Sequence, residues 1–485
     1  MKIRFLWSSA AAALAVAAAL AGCGGTTYFA GRNLPPSGLT NRVLIAIQNN
    51  SAFSKGALQF VDAYYDIRSG TGGKPASYSI AGYSGALPIT IQNMPEEQTG
   101  FVYGSGDGSY LPVNYAKENT STPVTGLNGL SSSIFVSRNQ SYVFAASQST
   151  KVLTVVDRSG GSYPLSLPGV YRVSVNPGGS SAIAFVQNSN YAYFPVKLSA
   201  AQTTSYSGGP PTWPKAAVDC EPQNAPGWCL FQAQSPDHVD STGTYYGAPL
   251  NFDRPQKAVF SIDGGTAYVL NCGPECGGNT ASVSILPVAP MIYLVGQGSG
   301  TLPTNAALAA STIAIPGGAS NALVDSSTMY VVGQKPQVVN NETLFAGHLT
   351  VVNLSTNTAS NPVTISDGLP GAPSRMIEAD NNTLWIAMTK CNNGVRANTG
   401  QPYGCLTMYN TSTGAVTMLE PYLGDATGIA AVTGLNKIYT AEGGQVYIYS
   451  TVDGTALDNQ YVTVTGTAFD VAYMDATTDA NNTVY

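Results

Sequence analysis

Short apolar runs alternate with polar turns from residue 42 to the end of the chain, and their grouping repeats. Val259-Phe260-Ser261-Ile262-Asp263-Gly264-Gly265-Thr266-Ala267-Tyr268-Val269 is the clearest copy. The segments Ile134 to Phe144, Val173 to Val186, Leu323 to Val331, Met376 to Ile386 and Ile429 to Tyr439 follow the same plan. Each reads as a strand, a tight turn and a second strand. The turns hold Asp, Asn or Gly because such turns need φ angles that other residues avoid. A third run follows and ends in Asp or Asn before a Ser/Thr/Gly turn, as in Val152 to Asp157, Leu349 to Asn353 and Leu406 to Asn410. A shorter fourth run closes the unit at Pro362 to Ile365 and at Ala415 to Leu419.

Four antiparallel strands per unit, repeated every ~40–60 residues, predict a β-propeller. First strands are expected near 88, 134, 172, 259, 322, 376, 428 and 468, with the unit at 88 the poorest. The fold class is therefore all-β, a single propeller of seven to eight four-stranded blades over residues 42–485. Phe469 to Met474 reads as a first strand, whereas Val43 to Ile47 and Leu58 to Asp62 read as later strands. The two ends of the chain are thus expected to share the closing blade, which removes two sheet edges.

The copy from Ser261 to Asn271 resembles the YVTN-type repeat, with Ile262 in place of its proline and Leu270 in place of its threonine. The resemblance covers most of the chain by pattern and this one segment by motif. It implies a propeller.

Two stretches break the rhythm. Residues 206–256 hold Pro210-Pro211, Trp213-Pro214, Trp228, Tyr245-Tyr246 and the cluster Asp237-His238-Val239-Asp240. Residues 287–312 form a second long connection, with a short helix expected at Asn305 to Ala310. Long connections in compact domains are often functional. Trp213, Trp228, Tyr245 and Tyr246 are candidates for stacking on a ligand, with Asp237, His238 and Asp240 beside them as polar contacts.

Composition narrows the classes. Charged residues make up 10% of the chain, against ~25% in an average soluble protein. The 52 glycines and 30 prolines have no three-residue period, which excludes collagen, and the 28 tyrosines suit strands better than long helices. A net charge of −6 without basic clusters argues against nucleic-acid binding.

The start of the chain carries Lys2 and Arg4, then an apolar Ala-rich stretch, then Leu20-Ala21-Gly22-Cys23. This is the plan of a secretory signal. The final four residues resemble the lipobox of bacterial lipoproteins. The resemblance implies cleavage after residue 22, lipidation of Cys23, and an exported protein anchored in the cell envelope; Gly24 in place of Asp implies the outer membrane. Residues 1–22 are then the signal peptide and 23–41 a lipidated flexible tether. Removal of Lys2 and Arg4 leaves 19 basic and 27 acidic side chains, a net charge of −8.

Six cysteines remain once Cys23 is assigned to lipid. They fall into three local pairs, predicting the disulfides Cys220–Cys229, Cys272–Cys276 and Cys391–Cys405. A Cys₄ zinc site built from Cys272-Gly-Pro-Glu-Cys276 is the alternative, disfavoured in an exported protein.

Catalytic signals are sparse. The chain has two histidines, His238 and His348, and lacks G-x-S-x-G, H-E-x-x-H, P-loop and G-x-G-x-x-G motifs. No catalytic residue and no cofactor are assigned; Ca²⁺ is the ion that the Asp237–Asp240 cluster, or Asp475 with Asp479, would suit. The expectation is a monomeric, lipid-anchored, non-enzymatic binding or assembly module for a protein or glycan partner. One alternative is a lactonase-like or other hydrolase with a metal or acidic cluster at the channel, as resemblance to enzymatic propellers implies. A structural surface-layer component is the other.

Overall fold

The computed structural model describes residues 34–49, 54–68, 78–179, 181–198, 217–222, 227–233, 250–288, 311–339, 341–366, 371–391, 403–419 and 424–478. Eight antiparallel sheets form the blades of an eight-bladed β-propeller. The innermost strands of blades 2 to 8 are Pro88–Met94, Ser133–Val136, Val170–Val175, Pro255–Phe260, Asn321–Asp325, Ala372–Ala379 and Ala426–Val432. Blade 1 takes its innermost strand, Thr467–Tyr473, from the C-terminal end, and the next two, Arg42–Gln48 and Ala57–Asp62, from the N-terminal end. All eight first strands lie where the repeat placed them, and the closing blade is shared as expected.

The alternating pattern is explained by where the side chains go. Among the described residues, eight apolar clusters occur, one in each gap between neighbouring blades. A blade thus buries both faces against its neighbours. This is why the strands are largely apolar on both sides, with charged strand residues few and paired or facing the channel. The Asp or Asn that ends the third strand satisfies the turn after it. Asp157 Oδ1 accepts the N–H groups of Ser159 and Gly161 at 2.9 and 2.8 Å. Asn353 Oδ1 serves Ser355 and Thr356 at 2.9 and 3.1 Å, and Asn410 Oδ1 serves Ser412 and Thr413 at 3.0 and 2.9 Å.

Side chains also link each inner strand to the next. Asp470 Oδ2 accepts Ile91 N–H at 2.8 Å, and Gln92 Oε1 accepts Val136 N–H at 2.8 Å. Ser133 Oγ accepts Val173 N–H at 3.2 Å, and Ser174 Oγ accepts Ala258 N–H at 3.0 Å. Lys257 Nζ donates to Asn321 Oδ1 at 2.7 Å, Asn321 Nδ2 to Ser374 O at 3.4 Å, and Ser374 Oγ to Ala426 O at 3.1 Å. At the junction of blades 8 and 1, Gly428 sits so close that a Cβ there would lie 2.6 Å from Asp470 Cα.

Closure has an ionic lock. Arg42 is buried; its Nη2 donates to Asp475 Oδ1 at 2.6 Å and its Nη1 to Glu118 Oε1 at 2.8 Å. Asp475, which with Asp479 would suit a cation, has its charge met by this guanidinium; Asp479 lies outside the described residues. Glu118 also accepts Ser37 N–H at 2.9 Å, and Leu39 is buried. The end of the expected tether, residues 34–41, is therefore packed onto the propeller.

The three expected disulfides are formed, with Cα–Cα separations of 4.1, 5.7 and 5.7 Å. The expected insertion 206–256 is more than a loop. Ala217–Glu221 and Trp228–Gln232 add a fourth and a fifth strand to blade 4, joined across Cys220 and Cys229. The helix expected at 305–310 lies outside the described residues.

Candidate functional site

Every inner strand runs from one face of the ring to the other. The face where they start also receives the connections from second to third strands and from each blade to the next. It carries the Cys272–Cys276 loop and the hairpin of two long strands, Thr328–Val339 and Glu342–Asn353. The strand ends bracketing residues 234–249 and 392–402 lie there too. Several irregular connections thus share the face where the inner strands start, whereas the connection 287–312 joins a third strand to a fourth at the opposite face.

The channel has a volume of about 940 Å³ and is lined by the inner strands. A local irregularity sets what faces into it. The inner strands of blades 4, 5 and 7 each carry a bulge-like register shift near their start, between Val170 and Arg172, Pro255 and Lys257, and Pro373 and Arg375. Such bulges re-aim the side chain that follows. In these three blades that residue is basic, whereas the same shift in blades 2 and 8 precedes Thr90 and Gly428. Arg172, Lys257 and Arg375 therefore occupy equivalent positions and converge on one level of the channel.

Neighbouring polar groups hold the three cations. Arg172 Nη1 donates to Gln256 Oε1 at 3.0 Å and its guanidinium lies over the Tyr171 ring at 5.4 Å. Lys257 is bonded to Asn321, and Asn321 Nδ2 and Arg375 Nη1 share the carbonyl of Ser374, each at 3.4 Å. Burial, and then the two guanidiniums of Arg172 and Arg375, push Lys257 well below the ordinary lysine range. One acid joins them. Glu275, in the Cys272–Cys276 loop, accepts Gln334 N–H at 2.9 Å. Burial raises it to about 7, against the opposing pull of that bond and of Arg172.

The far end of the channel is acidic. Asp325 and Glu378 line it, and Glu378 is raised to about 7 by burial and then by Asp325. Arg375 and Glu378 are three positions apart on one strand, ~10 Å at strand spacing. Among the described residues, no group of three or more His, Cys, Asp or Glu is arranged to hold a metal ion.

Of the residues singled out in the sequence, Trp213, Asp237, His238, Asp240, Tyr245, Tyr246 and Cys23 lie outside the described residues. Trp228 is described, and its place corrects the expectation of a ligand-facing ring. It is buried between blades 3 and 4, edge-on to Tyr142 at 5.1 Å and to Phe144 at 6.0 Å. Strand alternation turns it inward, as it does its partners. His348 is buried, with Nδ1 2.9 Å from Ala346 O, and is structural. The cation cluster was missed because the three residues are far apart in sequence. Its signal was a basic residue in the same register of three inner strands.

No family model matches the chain, and no curated protein does. Among solved structures it is similar to apo AztD from Citrobacter koseri, at 11% identity and a TM-score of 0.46, over 90% of this chain and 98% of the other. It is also similar to the periplasmic gluconolactonase PpgL of Pseudomonas aeruginosa, at 13% identity and a TM-score of 0.39, over 89% and 98%. Dihydro-heme d1 dehydrogenase NirN is matched at 11% identity and a TM-score of 0.49, over 90% and 75%.

Proposed function

We propose that the protein is a lipid-anchored binding module of the bacterial cell envelope, taking a carboxylate-bearing ligand such as the uronate units of an acidic glycan. The observation that supports this is the convergence of Arg172, Lys257 and Arg375 at the channel mouth beside the long connections. Guanidinium groups suit carboxylates because their paired N–H donors match two oxygens. The guanidiniums of Arg172 and Arg375 repel positive charge between them, as the lowered Lys257 shows, and a bound anion relieves that repulsion.

The test is titration calorimetry with trigalacturonate and, as the neutral control, maltotriose. Trigalacturonate should bind and maltotriose should not. A charged hydrogen bond contributes ~1.5–3 kcal/mol, so Arg172→Gln or Arg375→Gln should weaken binding ~10–100-fold. Equal binding of both sugars, or variants that bind like the parent, would reject the site. Affinity should also rise as pH falls from 8 to 6. Glu275, raised to about 7, is a competing anion above that pH and a neutral acid below it.

Anchorage rests on Cys23 and the segment before it. Mass spectrometry of the mature N-terminus should find Cys23 acylated; two or more acyl chains are needed for stable attachment, at ~0.8 kcal/mol per buried methylene. An unmodified Cys23 would remove the anchor.

A hydrolase reading would place its chemistry at the opposite end, on Asp325 and Glu378. Turnover of a simple lactone that is lost in Glu378→Gln would move the function there.

A further inference from the structure

The reading of the channel mouth as an anion site leaves one of its groups with unused chemistry. Lys257 is a primary amine at the channel wall, and Asn321 Oδ1 accepts one of its hydrogens at 2.7 Å. That bond anchors the amine at the channel wall. The groups facing it are the guanidiniums of Arg172 and Arg375, with Glu275 on the Arg172 side. Both guanidiniums and burial disfavour its protonated form. A desolvated lysine beside other cations is the setting in which amines become nucleophiles near neutral pH.

We propose that Lys257 captures its ligand covalently and reversibly, as an imine, and that the ligand class is a carbonyl compound carrying a carboxylate, such as a 2-oxo acid. The proposal rests on the anion-site reading and sharpens it. The arginines hold the carboxylate, which brings the carbonyl carbon to Lys257 Nζ. The nitrogen lone pair forms the C–N bond as the carbonyl π pair moves to oxygen. Both amine hydrogens then leave with that oxygen as water, the proton passing from nitrogen to oxygen through solvent. No oxidant or reductant is consumed, and hydrolysis returns ligand and amine.

The experiment uses the folded mature protein with glyoxylate and cyanoborohydride, which converts an imine into a stable adduct. Peptide mass spectrometry then locates it, and acetaldehyde is the uncharged control. Glyoxylate should label Lys257 more than ~10-fold faster than any other lysine of the protein, the gain in neutral amine that one pKa unit brings. Acetaldehyde should show a smaller preference. Arg375→Gln should slow the glyoxylate reaction more than the acetaldehyde reaction, and Lys257→Arg should abolish the channel adduct while keeping a donor toward Asn321. Labelling of Lys257 no faster than surface lysines, or equal selectivity for the two aldehydes, would overturn the proposal. If Lys257 stays unlabelled while trigalacturonate still binds, covalent capture alone falls. If trigalacturonate binding is lost as well, the anion site falls with it.

Discussion

Replacing Arg42 by methionine is expected to lower the unfolding free energy by about 3–5 kcal/mol, read from urea denaturation at pH 7. Arg42 joins the first strand of the described chain to Asp475 near its other end, and to Glu118 on blade 2. All three side chains are buried. The loss arises because two carboxylates would remain in a dry gap without their cation, not because the ion pairs are strongly stabilising in themselves. The triple variant Arg42→Met/Glu118→Gln/Asp475→Asn should therefore recover most of the loss. The deficit of the single variant should respond little to salt, since buried charges are poorly screened. A loss under ~1 kcal/mol would show that the ionic lock does not hold the ring closed.

Trp228→Ala is the second large effect expected. Removing a buried tryptophan costs about 3–5 kcal/mol, through lost transfer energy and the cavity left behind. Trp228 fills the gap between blades 3 and 4, against Tyr142, Phe144 and Tyr163. The urea midpoint should fall accordingly, while the folded variant binds trigalacturonate as the parent does. A stable variant with weakened binding would return Trp228 to the role of a ligand contact.

Much of this protein was legible before its coordinates. The starts of the eight inner strands near 88, 134, 172, 259, 322, 376, 428 and 468 were readable because each depends on short-range patterning. An apolar run, an Asp/Asn/Gly turn and a second run express local backbone preferences. The Asp or Asn after the third strand belongs to the same class, since Asp157 and Asn353 bond to N–H groups within four residues of themselves. The three disulfides were likewise readable because each joins cysteines on adjacent strands or within one loop.

Other features depended on distances that no local pattern encodes. Arg172, Lys257 and Arg375 are far apart along the chain, and only the closure of the ring brings them to one level. The bulges that aim them arise from strand pairing, so the residues by themselves look like ordinary strand positions. The orientation of Trp228 was hidden for a related reason. Its stretch resembles a Pro-rich loop until pairing with Ala192–Lys197 makes it a strand with one face inward. Residues 34–41, short of apolar periodicity, were read as tether; their attachment runs through Ser37 to Glu118, a contact between segments 81 positions apart.

The amino-acid sequence by itself determined the repeated strand–turn unit and the local cysteine pairs, because each follows from the preferences and reach of neighbouring residues, and it showed the shared closing blade through the incomplete units at the two ends. Tertiary structure alone decided that there are eight blades rather than seven, that a buried arginine locks the ends together, and that one channel mouth is cationic. Those outcomes are set by the angle at which blade packs on blade, and by which charges the closed ring brings within reach of one another.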